Sequence, residues 1–445
     1  MKFLSPVLIV VLSTLMGASL SAADSAPAPI EAFVKEALLG NPELKFYEAE
    51  IAASKGERRA AGAWQNPELS TKTGAKNVHS LSGQPMGDGM AWQVTVSQTF
   101  EFPGRLSLRK AIANQQVQLA ELGLEQFRAA LSMRIRLLAF KLLAAQERAE
   151  AARGVADRFQ DVLSVLVQRD PAGVAPMLAT RIIEASALTV NRRAAEASRE
   201  LYNAAIELNQ LRGLPVGAGV SVERTPILLQ PAVSLEKLLS SARVNNFEIR
   251  ARAAELEQQG FRVRLSENEK WPAITLMPYA SGERAADRQR EYGIGVSIPL
   301  PIINRNQGNI AASQARLEQA EVSLKIAIRD MERKVAAAAN SYDLQIKAME
   351  RWPEGGVSKI GEAAKLADQH YRLGAVPIST YVELQTQYLD AVDAVLATQI
   401  DAMEARQQVE ILAGVSMEGT ALKYRATLPV IAHDPEARSG KLSAR

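Results

Sequence analysis

Segments of this chain recur in order and at nearly constant separation, and that duplication constrains the fold more than any other feature. Asn41-Pro-Glu-Leu followed by Trp64-Gln-Asn-Pro67 is answered about 205 positions later by Asn246-Phe-Glu-Ile and Trp271-Pro272. Val96-Ser97 and Arg105 return as Val296-Ser297 and Arg305. Gly173 with Pro176 returns as Gly374 with Pro377, and Leu211-Arg-Gly213 as Leu412-Ala-Gly414. Each half therefore carries one plan from end to end, and a structural unit repeated in this way stacks against its copy. The plan divides the chain into a first repeat over residues 24–213, a linker at 214–234, a second repeat over 235–414 and an unrepeated tail at 415–445. The 445 residues are thus two copies of one elongated unit rather than two or three unrelated domains.

Inside each repeat the hydrophobic period changes in the same order. Glu31 to Ala63 reads as a helix. Trp92, Val94, Val96 and Phe100 then alternate with Gln93, Thr95, Ser97 and Thr99, a strand with one apolar face, and Tyr292, Ile294, Val296, Ile298 and Leu300 do the same in the second half. Preceding partner strands at Glu68 to Lys76 and Ala273 to Gly282 make one hairpin per repeat. Long polar tips are expected at Asn77 to Gly89 and at Glu283 to Arg290. After Pro103 and Pro301 the spacing becomes three and four, through Leu124, Phe127, Leu131, Ile135, Leu138 and Leu142, and through Met331, Val335, Ala338, Tyr342 and Ile346, as in a coiled coil. Gly104 to Arg169 is expected to be one helix of roughly 100 Å, with a shorter helix returning from Pro176 to Gly213. Trp352-Pro-Glu-Gly-Gly356 is expected to break the corresponding helix of the second half.

Composition fits long packed helices. Apolar residues make up 47% of the chain but aromatic residues only 5%. The apolar content is therefore mainly Ala, Leu, Val and Ile, of which Ala and Leu are strong helix formers. The 52 basic and 49 acidic residues nearly cancel, which excludes a strongly basic nucleic-acid binder. With no cysteine and three scattered histidines there is no thiolate site, no lipoprotein anchor and no catalytic constellation to propose, so neither an enzyme nor a resident cofactor or metal is expected. Residues 1–23 read as a cleaved export signal, with the short apolar run Val7 to Met16 before Ser21-Ala22-Ala23. No later segment is long and apolar enough for a spanning helix, so any membrane contact must be through strands. Strands of about ten residues suffice for that. Four of them cannot close a barrel, so three copies with about 12 strands are needed, with Val94, Val96, Ile294 and Ile298 facing lipid.

These residues match a known pattern. Asn41-Pro-Glu-Leu, Ala63-Trp-Gln-Asn-Pro-Glu-Leu69, Val96-Ser-Gln-Thr-Phe-Glu-Phe-Pro-Gly-Arg105 and Tyr371-Arg-Leu-Gly-Ala-Val-Pro377 resemble the TolC-like outer-membrane efflux proteins. The likeness covers nearly the whole mature chain. It is closest to the heavy-metal branch, of the cobalt-zinc-cadmium and copper-silver type. The resemblance implies a mainly α fold with a small β part. Three chains would form a 12-stranded outer-membrane barrel continued by a long α-helical barrel in the periplasm. It also implies a conduit that is not an enzyme, docked to a periplasmic adaptor and an inner-membrane resistance-nodulation-division pump, and exporting heavy-metal cations. A drug-efflux or type I secretion channel is the alternative within that class, and a periplasmic coiled-coil scaffold the alternative outside it. Carried over residue by residue, Gly173, Pro176, Gly374 and Pro377 mark the periplasmic tip that meets the adaptor. Acidic residues after the second tip glycine narrow the pore in the family. Here Thr380 departs from that pattern and Glu383 fits it, and Glu383 has the further reading of a solvated helix-face charge.

Overall fold

The computed structural model describes residues 27–169, 177–224, 233–352 and 355–415. The expected export signal, the first tip element with Gly173 and Pro176, and all of the tail beyond residue 415 lie outside these residues. In the first repeat, α1 (Ile30–Gly40) and α2 (Glu43–Ala61) lead into β1 (Glu68–His79) and β2 (Pro85–Phe100), then α3 (Arg105–Arg169) and α4 (Met177–Arg212). In the second, α5 (Leu235–Asn245) and α6 (Phe247–Asn268) lead into β3 (Ile274–Arg284) and β4 (Arg288–Ser297), then α7 (Gln307–Glu350), α8 (Gly356–Arg372) and α9 (Ile378–Ala413).

The opening helix of each repeat is two helices, not the single helix expected from Glu31 to Ala63. Pro42 holds the preceding residue out of the helical region, and Asn41 has ψ 121°. In the second repeat Asn246 makes the same break with φ −63° and ψ 126° although Phe247 replaces the proline. The break needs only a side chain able to bond the freed amides, and Asn supplies it.

Helix α3 runs for 65 residues, about 100 Å. Its counterpart is divided into α7 and α8 at the Trp352 break, where Gly355 takes the left-handed φ of 67°. The described residues share no single globular core. One apolar seam joins α3, α4, α8 and α9 around Phe159, Tyr381 and Leu389, another joins α5, α7 and α9 around Val335 and Tyr342, and a third joins α1, α3 and α4 around Phe33, Ile135 and Leu208. Alanines 144, 151, 152 and 156 are buried along the first seam, so the helix axes approach closely there. The expected linker is not a free connection at its start. Val222 is buried and pairs in parallel with Ala28, and Asn209 Nδ2 donates to the Ala218 carbonyl at 2.7 Å.

The four strands form one antiparallel sheet in chain order, so both β1 and β4 are edges. The hairpins are longer and their tips shorter than the alternation of apolar residues implies. Strand β1 continues to His79 and β2 begins at Pro85, leaving a turn in which the Gly83 amide donates to the Ser80 carbonyl at 2.9 Å. Strands β3 and β4 pair as far as Arg284 and Arg288. The extra residues are mostly polar or glycine, with Val78 and Met86 as isolated apolar positions, so no apolar alternation marks them.

Candidate functional site

Cross-strand register sorts the side chains of the sheet onto two faces. On one face Leu69 lies opposite Val96, Thr71 opposite Val94, Thr73 opposite Trp92 and Ala75 opposite Met90. The same face continues through Ile274, Leu276 and Ala280 of β3 to Val296, Ile294 and Tyr292 of β4. The other face carries Ser70 and Lys72 of β1, Gln93, Thr95, Ser97 and Thr99 of β2, Thr275, Tyr279 and Ser281 of β3, and Glu291 of β4. Among the described residues no helix covers the apolar face. Val94, Val96, Ile294 and Ile298 are 36%, 41%, 74% and 45% exposed, with Ile298 lying one residue past β4. In a water-soluble sheet the apolar face would be packed and the polar face wet, so this arrangement is inverted.

Aromatic side chains bound the exposed apolar band. Near the helices, Trp64 packs edge-on against Phe100, and Phe102 stacks on Trp271. Toward the hairpin tips stand Trp92 and Tyr292, and a β-carbon on Gly282 would lie 2.6 Å from the Trp92 indole nitrogen, so glycine makes room for the ring. Trp92 and Phe100 stand eight positions apart, about 26 Å along the strand and roughly 20 Å of height at the tilt of barrel strands. An apolar band between aromatic girdles, with a polar face behind it, is the surface of a membrane barrel. Among the described residues no helix is long and apolar enough to cross a membrane.

Where sheet meets helices, Arg105 Nη2 donates to the Trp271 carbonyl at 2.8 Å, and its Nε donates to Asn268 Oδ1 at 3.2 Å. It ties the start of α3 to the α6–β3 junction of the other repeat. Arg305 takes no equivalent place. In the second half Asn306, with a left-handed φ of 65°, reaches the Ser266 carbonyl at 2.8 Å instead.

At the far end of the helices, α8 closes on a glycine cap. Gly374 has φ 75°, its amide donates to the Tyr371 carbonyl at 2.9 Å, and the Ala375 amide donates to the His370 carbonyl at 2.8 Å. These two hydrogen bonds satisfy carbonyls at the end of α8, and Pro377 then starts α9. Tyr381 joins three helices here, with its ring 5.1 Å from that of Tyr371 on α8 and 5.3 Å from that of Phe159 on α3. Burial, and secondarily the charge of Asp368, hold its phenol far above the usual range, so it stays neutral. Gln385 is wholly buried, donating to the Ala364 carbonyl at 2.6 Å and accepting from Arg158 at 2.8 Å. At the rim Arg372 spans Asp368 at 3.0 Å and Asp161 of α3 at 3.6 Å. Thr380 is half-buried beside Tyr381, and Glu383 is exposed and accepts from Gln387 at 3.0 Å. Sequence reasoning missed Gln385 and Arg158, since isolated polar residues in a helical pattern look like solvated positions, and it quoted Arg372 only as part of the tip motif.

About 25 Å from this end, α3, α4 and α9 enclose a cleft of about 220 Å3 lined by Arg148, Arg193, Glu200 and Asp393. Asp393 lies 3.4 Å from Arg148, and burial holds its carboxyl above the ordinary aspartate range despite that partner. Among the described residues no group of His, Cys, Asp and Glu is arranged to hold a metal ion.

The family model described as "Outer membrane efflux protein" matches residues 33–214 and 238–415. The chain belongs to the outer membrane efflux protein family. It is an outer-membrane efflux channel with a large periplasmic helical part. It is 27% identical over 302 residues to the cobalt-zinc-cadmium resistance protein CzcC of Cupriavidus metallidurans, covering 66% of this chain and 68% of that one. It is 23% identical over 346 residues to the nickel-cobalt-cadmium resistance protein NccC of Alcaligenes xylosoxydans xylosoxydans, covering 75% of this chain and 76% of that one. Its fold is that of CusC, whose crystal structure aligns with a TM-score of 0.67 at 18% identity over 88% of this channel and 93% of CusC.

Proposed function

We propose that three copies of this chain assemble into the outer-membrane duct of a tripartite metal efflux system. The observation that carries the assembly is the inverted four-stranded sheet with two unpaired edges. Hydrocarbon tolerates no open edge, and four strands are too few to close on themselves. Joining β4 of each copy to β1 of the next gives 12 strands, an apolar exterior and a lumen lined by Gln93, Thr95, Ser97 and Tyr279. Val94, Val96, Ile294 and Ile298 then face lipid. Metal cations as cargo are supported by the metal-resistance relatives at 27% and 23% identity. The reading includes a periplasmic adaptor docked around Gly173, Pro176, Gly374 and Pro377, and a resistance-nodulation-division pump in the inner membrane. The chain itself performs no chemistry in this scheme and works as a passive conduit.

Deletion of the protein from its host is expected to lower tolerance to cobalt, zinc or cadmium, and plasmid-borne expression to restore it. Unchanged tolerance to cobalt, zinc, cadmium, nickel, copper and silver would rule out the metal reading and leave drug efflux or type I secretion. The pore constriction is placed at Thr380 and Glu383, because three exposed Glu383 carboxylates around one axis attract cations and repel anions. Planar-bilayer recordings of Glu383→Ala are expected to show a reduced cation-to-anion permeability ratio. A ratio equal to that of the parent channel would mean that Glu383 is only a solvated helix-face charge.

A further inference from the structure

The stretch Glu283-Arg-Ala-Ala-Asp-Arg-Gln-Arg-Glu291 is mixed in sign and, as a sequence, points only weakly to an exposed loop touching anionic lipid headgroups. Strand pairing separates the signs. Arg284 lies directly opposite Arg288, and Arg290 opposite Gly282, all on the face that carries Met90, Trp92 and Tyr292. Glu283 and Glu291 point to the other face, where Glu283 pairs with Lys76 and Glu291 accepts from the Tyr279 hydroxyl at 2.7 Å. Three arginines therefore stand on the outer surface, and the carboxylates beside them in sequence are engaged inside.

Like charges directly opposite one another destabilise a strand pair. Arg284 and Arg288 are such a pair, and all three arginines are exposed. Among the described residues no carboxylate makes an ion pair with any of them. Asp287, in the turn between the strands, accepts from Gln289 at 3.0 Å, and Asp88 lies opposite Asn77. The cluster continues the apolar band, since Arg290 stands two residues beyond Tyr292 toward the hairpin tip and Arg288 four, about 7 and 13 Å along the strand. In an outer-membrane channel whose helices lie in the periplasm, the hairpin tips face outward. The arginines therefore sit at the headgroup level of the outer leaflet.

We propose that Arg284, Arg288 and Arg290 form a docking site for the phosphates of a phosphorylated glycolipid in the outer leaflet. Guanidinium forks hold phosphate oxygens two at a time, and a bound phosphate relieves the repulsion between Arg284 and Arg288. The acyl chains lie along Trp92, Tyr292 and Ile294. The ligand is held by charge at its head and by apolar contact along its tails, which separates it from free phosphate.

The test is a titration of the full-length protein in detergent micelles with fluorescent diphosphoryl lipid A, alongside monophosphoryl lipid A and inorganic phosphate. The triple variant R284Q/R288Q/R290Q is expected to bind diphosphoryl lipid A about tenfold more weakly or worse, and the triple Lys variant, which keeps charge without the fork, to fall between it and the parent. The double variant E283Q/E291Q, altered on the inner face, is expected to bind as the parent does. Monophosphoryl lipid A is expected to bind more weakly than the diphosphoryl form, and millimolar inorganic phosphate to displace neither. The proposal is overturned if the Gln variant, with the parent's circular dichroism spectrum, binds equally well. It is overturned equally if the inner-face variant loses as much affinity, or if inorganic phosphate alone displaces the lipid.

Discussion

Val96→Arg is expected to abolish accumulation of the protein in the outer membrane. Val96 stands midway along the band between Trp92 and Phe100, opposite Leu69, and is 41% exposed with no helix over it. An arginine at the middle of a barrel's lipid face costs about 2 to 4 kcal/mol per chain, and an assembly of three copies carries about three times that. The neighbouring Ser97→Arg is the control. Ser97 belongs to the opposite face, where its cross-strand partner is Glu68, so the added cation meets water and a carboxylate. Density-gradient fractionation and heat-modifiable migration on gels measure both. Accumulation of both variants in the outer membrane at the parent's level would contradict the assignment of the faces. Because the substitutions are adjacent and identical in chemistry, a general intolerance of arginine in β2 would remove both and be recognised at once.

Asn246→Ala is expected to destabilise the helical body by about 2 to 4 kcal/mol. The Asn246 side chain works at both of its ends. Its Oδ1 accepts from the Glu248 and Ile249 amides at 3.0 and 3.2 Å, capping α6, while its Nδ2 donates to the Leu412 carbonyl at 2.9 Å, closing the end of α9. Asn41 repeats this in the first half, accepting from the Glu43 amide at 2.8 Å and donating to the Leu211 carbonyl at 3.0 Å. Both side chains are buried, so each carbonyl loses its partner without gaining water. Loss of a helix cap costs about 1 kcal/mol, and orphaning a buried acceptor about 1 to 3 more. Asn246→Asp separates the two contributions. Aspartate caps as well as asparagine but turns an acceptor toward the Leu412 carbonyl, so this variant is expected to keep the cap and to lose at least the second contribution. Asn41→Ala combined with Asn246→Ala is expected to be additive, since the two clamps share no residue. Thermal melts of the detergent-solubilised protein read these three variants and the Asn41→Ala single variant that the additivity test requires. An Asn246→Asp protein as stable as the parent would show that the Leu412 bond contributes nothing.

These clamps also account for the duplicated motifs. Leu211-Arg-Gly213 and Leu412-Ala-Gly414 recur because each ends its helix on a left-handed glycine, φ 73° and 62°, pressed against the asparagine turn. A β-carbon on Gly213 would lie 2.4 Å from the Gly40 carbonyl oxygen, and one on Gly414 2.4 Å from the Asn245 side chain. The sequence reveals both motifs and their repetition. It does not reveal that they meet, because 170 positions separate Asn41 from Leu211 and 166 separate Asn246 from Leu412.

What the sequence alone determined is what periodicity encodes: the repeated plan, the order of strand and helix, the long helix after Pro103, the break at Trp352 and a channel-like organisation. Alternation in β2 and β4 is visible because a strand with one apolar face must repeat every two residues. What only the tertiary structure decided depends on pairing across distance. The hairpin ends extend the sheet because backbone bonds form whatever the side chains, and Asn246 breaks a helix without a proline because its side chain bonds the freed amides while Leu412 holds it in place. The register of β3 on β4 turns a mixed-sign segment into a cationic outer face and an acidic inner one. Residues adjacent in a strand point in opposite directions, so charges that cancel along the chain are kept apart in space.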